Sequence, residues 1–391
     1  MRIAPTKRIT EKIMQLLDIK PFSSMVNSVI THSIKENSVI PGDVEALRTE
    51  AARMNRDMQA QGSLGYSDDE MMLLLMVESM IAPYLSDRPD VLNFYMNAIS
   101  EECRIFDVEE FMTNPYIKNI DFHEKHQGDY ELLYHEFMPY EVDLYSPPKR
   151  LGKIHIDIPR VSCFTHTLKY PAIGQTSIKS TWMSVTPNEV YTMADAISNA
   201  KGKVLTLGCG MGYFAYMASL KDEVDSITIV EIEQDIIDLF ETHILPQFQH
   251  KEKINIVKAD AIEYMQNLDD GEFDYCFADI WIGIEDIAPY FSVKEIGRKL
   301  RKTKVNYWIE ESFAIYLSQF IWTEILESFS KAVHADIPDT RDAPINATEE
   351  RVHDYVHRLL KKVEITTPDQ IDYYLTTKNI IALIDKTKIT F

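Results

Sequence analysis

The chain has 391 residues, of which 45% are apolar and 26% charged, enough core material for two or three domains at roughly 150 residues each. Its net charge of -21 and pI near 4.9 repel a phosphate backbone, and no basic stripe with interleaved aromatics offsets them, so nucleic acid is excluded as an expected partner. No apolar run approaches the ~20 residues that cross a bilayer, and the start lacks an apolar signal core, so a membrane location is not expected either.

Residues 1–140 read as a helical N-terminal domain. Ser67-Asp-Asp-Glu70 ahead of Met71-Met-Leu-Leu-Leu-Met76 has the form of a capping box, with Glu70 reaching back to the cap. Met71, Met72, Met76 and Met80 suit a helical core better than an adaptable binding surface. A second helical period runs from Tyr84 to Ser100. His123, His126 and His135 lie near Asp121, Glu124 and Glu131, but the spacing matches no strong zinc pattern, and no metal site is assigned. Cys103, Cys163, Cys209 and Cys276 are dispersed, without the density of a disulfide framework, and point to a reducing cytoplasm.

Residues 141–185 change texture. Lys153-Ile-His-Ile-Asp-Ile158 alternates with period two, and Cys163–Leu168 and Thr176–Trp182 look similar, which predicts a small β segment of two to four strands. Thr186-Pro-Asn-Glu189 then opens a helix, with Thr186 as cap and Glu189 in the capping-box position. Glu189 also stands just ahead of a glycine-rich turn, which leaves a ligand role open to it.

That turn organises the remaining residues, 186–391. In Lys203-Val-Leu-Thr-Leu-Gly-Cys-Gly-Met-Gly212 a short apolar run breaks into glycines 208, 210 and 212, and a helical period begins at Tyr213. The chain has only 13 glycines, so three within five positions mark a place where the backbone must bend sharply or lie against a ligand. Strand and helix then alternate. Ser226–Glu231, Lys253–Lys258, Phe273–Asp279 and Val305–Ile309 read as strands, with helices over Gln234–His243 and Ile284–Lys302. Such alternation predicts an α/β fold, a Rossmann-like doubly wound and mostly parallel sheet. Ligands in these sheets sit at the carboxyl ends of the strands, which here carry Gly208–Gly212, Glu231, Asp260 and Asp279. The basic run Lys294–Lys304 reads as the solvated face of a helix. The C-terminal extension is mainly helical, with a loop over Pro338–Asn346, a capping box at Thr367–Gln370 and a short last strand at Lys388–Phe391.

The glycine run VLTLGCGMG, the acid ending the second strand, KADA after the third and FADIW at the fourth resemble class I S-adenosylmethionine-dependent methyltransferases, over roughly residues 186–311. The resemblance implies S-adenosyl-L-methionine as cofactor. Gly208, Cys209, Gly210 and Gly212 would pass its methionine part, Glu231 would take both ribose hydroxyls, and Ile232 would pack on the adenine. Asp260 would accept from the adenine amino group beside the Ala261 amide. Asp279 would lie near the ammonium and the transferring carbon, as the catalytic candidate that orients an amine or accepts its proton. Trp281 and Tyr213 could wall the sulfonium or simply pack against the fold.

Three departures qualify this. Thr206 stands where the family often has an acid, no Asn/Asp-Pro-Pro-aromatic element follows the fourth strand, and no antiparallel pair is evident after Glu311. A second resemblance, to spermidine synthases, rests on the preceding β segment, Pro187-Asn-Glu-Val-Tyr191, the Ile-Val-Glu-Ile-Glu run ending at Glu233, and Ile244-Leu-Pro246. Those enzymes usually carry two aspartates after the fourth strand, whereas Asp279-Ile-Trp-Ile-Gly283 has one.

The expected function is therefore methyl transfer to a small-molecule or protein acceptor. Aminopropyl transfer is the alternative, and a catalytically silent cofactor-binding module a third reading. A nicotinamide dehydrogenase is disfavoured because Tyr213 occupies the place of the last glycine in G-x-G-x-x-G. A homo-oligomer stays open.

Overall fold

A computed structural model describes residues 1–37, 40–60, 62, 65–123, 125–335 and 346–391. At its centre is a five-stranded, wholly parallel sheet. In space the strands run Ile254–Lys258, Val224–Glu231, Gly202–Leu207, Tyr275–Ala278 and Lys304–Tyr307, so the chain's first strand is the middle one and the order by sequence is 3-2-1-4-5. Alternation along each strand divides the core in two. Leu205, Leu207, Cys276 and Ala278 face a layer built on helices Ile287–Gly297 and Glu310–Val333. Val204, Tyr275 and Phe277 face the helices Pro187–Asn199, Tyr213–Ser219 and Gln234–Leu239, where Phe214 stacks on Phe277 with ring centroids 4.4 Å apart. Both faces are covered, as a parallel sheet requires. This is the Rossmann-like fold that the sequence implies.

The three capping boxes form as expected, at Ser67/Glu70, Thr186/Glu189 and Thr367/Gln370. Met71, Met72, Met76 and Met80 are buried in a core shared by the N-terminal helices and the strand Ile156–Phe164. All four cysteines are buried and free. Among the described residues no helix is long and apolar enough to cross a membrane.

Several expectations need correction. Strands begin well before residue 141. Arg104–Phe106 joins Ile156–Phe164 and Asp143–Leu151 in a three-stranded sheet. Lys125–Gln127, Tyr130–Phe137, Leu168–Gln175 and Ser180–Ser184 form a four-stranded antiparallel one. The segment 141–185 thus has four strands, within the two to four expected, and three more, Arg104–Phe106, Lys125–Gln127 and Tyr130–Phe137, lie before it in the region read as helical. Those missed carry His, Glu and Lys on their open faces, which masks the alternation. Within Lys153–Ile158, residues up to Ile154 form a 3₁₀ turn and the strand starts at Ile156. The basic run is not simply solvated. Lys294 is buried, bonded to Glu310 and 2.8 Å from Asp385, with its ammonium over the Tyr307 ring. Lys388–Phe391 is not a strand, and Phe391 stacks on Phe291. Two short strands, Arg2–Ile3 and Glu364–Ile365, pair instead and tie the chain ends together. The loop expected over Pro338–Asn346 lies outside the described residues apart from Asn346, which caps the helix Ala347–Leu360. No antiparallel pair follows the fifth strand among the described residues, and the helix Glu310–Val333 runs on from it.

Candidate active site

Register sets the site. Leu207 pairs with Val230 on one side and Ala278 on the other, so residues 208, 231 and 279 leave the sheet in one row. The ladder continues past the strands, with the Gly208 N–H donating to the Val230 carbonyl and the Asp279 N–H to that of Leu207. Gly208 sits at φ +92°, and a Cβ there would lie 2.3 Å from the Asp279 carbonyl oxygen. Gly212 sits at φ +76° and caps the helix Tyr213–Ser219, where a Cβ would lie 2.3 Å from the Phe240 ring. The first and last of the three glycines are therefore demanded by close approach as well as by backbone angle.

Beyond this turn opens a cavity of about 480 Å³. It is of a size to hold an adenosyl thioether. Gly208, Cys209, Gly210, Gly212, Glu231, Ile232, Asp260, Ala261 and Asp279 all line it, so the structure gathers the whole set of candidate residues around one space.

Two of its acids are tied to backbone. The Glu231 carboxylate is buried and accepts three N–H groups, from Cys209 at 2.9 Å on Oε2, and from Ile232 and Glu233 at 2.8 and 2.9 Å on Oε1. It thus locks the glycine turn to the end of the second strand. A carboxylate has about four acceptor positions, so one remains for a ribose hydroxyl, and taking both would mean giving up a backbone bond. Asp260 caps the helix Ala261–Gln266 through Oδ1, which accepts from Ile262 and Glu263. Its second oxygen is free of that duty. Ile232, on the lip of the cavity, is 62% exposed and offers the flat apolar surface that a ring would cover.

The other two acids differ. Burial lifts the Asp279 carboxyl to about 7. Glu189 rises to about 8, through burial first and the nearby charge of Asp279 second, against the pull of the Thr186 N–H that it accepts at 3.4 Å. Glu189 therefore serves its helix cap and the cavity at once. The Cys209 thiol is pushed far up by burial and by Glu231, so it is no thiolate nucleophile.

The walls come from several elements between residues 182 and 308. Trp182 and Met183 enter from the four-stranded sheet, and Met193 and Trp308 close another side, with the Trp308 indole donating to Thr192 Oγ1 at 3.0 Å. Trp281 is buried edge-on to Tyr290 and Phe313 and also lines the cavity. Tyr213 lines it too, while its hydroxyl accepts from Asn114 and its ring meets that of Tyr116 edge-on. Both residues pack and both face the cavity. The Tyr116 hydroxyl donates to the Met211 carbonyl inside the glycine turn. The short helix Pro115–Asn119, to which sequence assigns no function, braces that turn. Its one legible signal was the Asn114-Pro115 start.

The histidines near residue 123 do not gather. His123 faces Asp121, His126 Glu131 and His135 Thr181, and Glu124 lies outside the described residues. Thr206, in place of the early acid, is buried with its hydroxyl 3.4 Å from the Gly208 carbonyl.

A parallel Rossmann-like sheet with acids at its strand tips defines an α/β protein whose candidate ligand site lies at those tips. Residues 189–303 match the family model of the spermine/spermidine synthase domain. No curated protein matches the chain by sequence. Similar solved structures include the PRMT1 enzyme–prozyme complex of Trypanosoma brucei, at 20% identity over 30% of this chain and 36% of that one, TM-score 0.24. Spermidine synthase from Thermotoga maritima follows at 14% identity over 42% and 60%, TM-score 0.28. A Staphylococcus aureus protein described as a caffeoyl-CoA O-methyltransferase has 18% identity over 44% and 72%, TM-score 0.27. The match spans less than two thirds of the first two chains, and likeness at these scores assigns no activity.

Proposed function

We propose that the protein transfers an alkyl group from an adenosyl sulfonium donor to an amine, and that the group is aminopropyl, carried by decarboxylated S-adenosylmethionine. The charge of the cavity wall carries this reading. Glu189, Glu231, Asp260 and Asp279 line it, and among the described lining residues there is no Lys, Arg or His. S-adenosylmethionine itself brings a carboxylate, which such a wall meets with no counter-cation. The decarboxylated donor brings an ammonium and a sulfonium and no anion, which suits four acids. The family match over residues 189–303 supports the same choice.

Bound there, the donor supplies an electrophilic carbon beside a neutral thioether leaving group. The residues of the chain hold the partners at near-attack distance and exclude water, an effect worth roughly 7–11 kcal/mol of barrier. Asp279, at about 7, is placed to orient an incoming amine and accept its proton. Glu189 is the second base of the pair. Tyr213 and Trp281 bring aromatic surface to the cationic centre.

Methyl transfer is the second reading, favoured by the absence of a second acid in Asp279-Ile-Trp-Ile-Gly283. Incubating the protein with each donor and a panel of amines, with mass spectrometry of the nucleoside product, separates the two. Methylthioadenosine from the decarboxylated donor is the expected result. S-adenosylhomocysteine from S-adenosylmethionine would replace the proposal with methyl transfer, and no product from either would leave a binding module.

A further inference from the structure

Far along the chain from the glycine turn, two packed helices bring together a different set of side chains. Glu324 and Glu327 stand at i and i+3 on the helix Glu310–Val333, and His353 and His357 at i and i+4 on the helix Ala347–Leu360, so each pair shares one face of its helix. The His353 Nε2 lies 3.6 Å from Glu327 Oε1 and 3.9 Å from Glu324 Oε1, and ligand atoms of all three residues fall within 4.8 Å of one another. His357 Nδ1 lies 2.9 Å from Glu324 Oε1.

Two features of this cluster are unexplained by packing. The His353 Nε2 is buried and has no hydrogen-bond partner among the described residues, although it faces two carboxylates. Glu324 is 2% exposed, yet no Lys or Arg among the described residues pairs with it. A buried carboxylate needs a compensating charge. Lys331 lies 3.8 Å from Glu327 Oε2 but is itself 77% exposed, so it contributes little.

We propose that Glu324, Glu327 and His353 bind a divalent first-row transition ion of the zinc type, which clamps the helix Ala347–Leu360 onto the helix Glu310–Val333. Tetrahedral zinc with ligands at about 2.1 Å holds its ligand atoms roughly 3.4 Å apart, close to the His353 separations. A cation between Glu324 and Glu327 also replaces repulsion between them with attraction. Imidazole with carboxylates selects such an ion over magnesium or calcium, which take all-oxygen sites. His357 holds the outer position, orienting Glu324 as histidine–carboxylate pairs behind a metal do. The helix Glu310–Val333 also presses Phe313 against Trp281, so the clamp steadies a wall of the cavity without entering it.

The test uses the full chain, stripped with chelator and titrated calorimetrically with Zn²⁺, then with Mg²⁺ and Ca²⁺. One Zn²⁺ per chain is expected, with no saturable binding of the other two, and a rise in melting temperature with Zn²⁺. His353→Ala and the half-exposed Glu327→Gln should each abolish that stoichiometric binding, and His357→Gln should weaken it about 10–100-fold. Co²⁺ in place of zinc should show the absorption of a low-coordinate site in the wild-type chain only. Absence of stoichiometric Zn²⁺, or binding that survives both His353→Ala and Glu327→Gln, overturns the proposal. All these readouts are independent of transferase activity.

Discussion

The two sides of the cavity hold the same functional group in opposite states. On the side of the second and third strands, Glu231 and Asp260 spend most of their acceptor capacity on backbone N–H groups, five in all between them. On the side of the fourth strand and the helix Pro187–Asn199, Asp279 and Glu189 are half-buried with little to bond, and desolvation raises their carboxyls to about 7 and about 8. Hydrogen bonding to N–H holds a carboxylate as a fixed acceptor, whereas desolvation makes it ready to take or release a proton. In the proposed function, the first wall grips the ligand and the second does the chemistry.

Substitutions can break that division. The largest effect is expected from Asp279→Asn, which keeps shape and removes the base. Turnover should fall about 10²–10⁴-fold while the melting temperature holds or rises. Parallel losses in kcat and stability would place Asp279 with the structural acids. Next is Glu231→Ala, which strands three N–H groups in a buried turn. Urea denaturation should show a loss of about 3 kcal/mol, together with loss of nucleoside binding. Unchanged stability would mean that the turn holds without its lock.

The pH dependence sharpens the comparison. Glu189 is raised from 4.5 to about 8, so the folded chain keeps a proton that the unfolded chain has lost. Its contribution to stability is full below about 4.5 and is lost as pH rises through about 8. The slope it adds is at most about 1.4 kcal/mol per pH unit. Glu189→Gln keeps the capping box and should flatten the decline of stability between about pH 5 and 8. An unchanged profile would mean that the group titrates normally. The smallest effect is expected from Asn114→Ala, which removes both the bond to the Tyr213 hydroxyl and the cap on the Tyr116 N–H and should cost about 1–2 kcal/mol, read by thermal unfolding.

What sequence disclosed follows from the same physics. The sheet and its tips were legible because buried parallel strands read as apolar runs, and because three glycines and three acids fell at their ends in register. The capping box explained Glu189 well enough to hide its second role, since the charge that couples it to Asp279 arrives only when helix and fourth strand meet. The early strands escaped because polar side chains such as His135 and Glu136 break up their apolar pattern. The Glu324–His353 cluster was invisible for a different reason, its two helices being joined through a stretch with no ligand spacing. Trp182 and Met183 likewise reach the cavity only through the folding of a separate sheet.

Calorimetry of decarboxylated S-adenosylmethionine against methylthioadenosine, each between pH 6 and 8.5, tests the division of the cavity most directly. The dication must ionise Asp279 and Glu189, so its affinity should rise by up to about tenfold per pH unit for each proton released, with heats that depend on the buffer. The neutral thioether should show no such dependence. Equal pH profiles for the two ligands, or no binding of either, would contradict the assignment of an acidic, proton-releasing wall to an adenosyl sulfonium site.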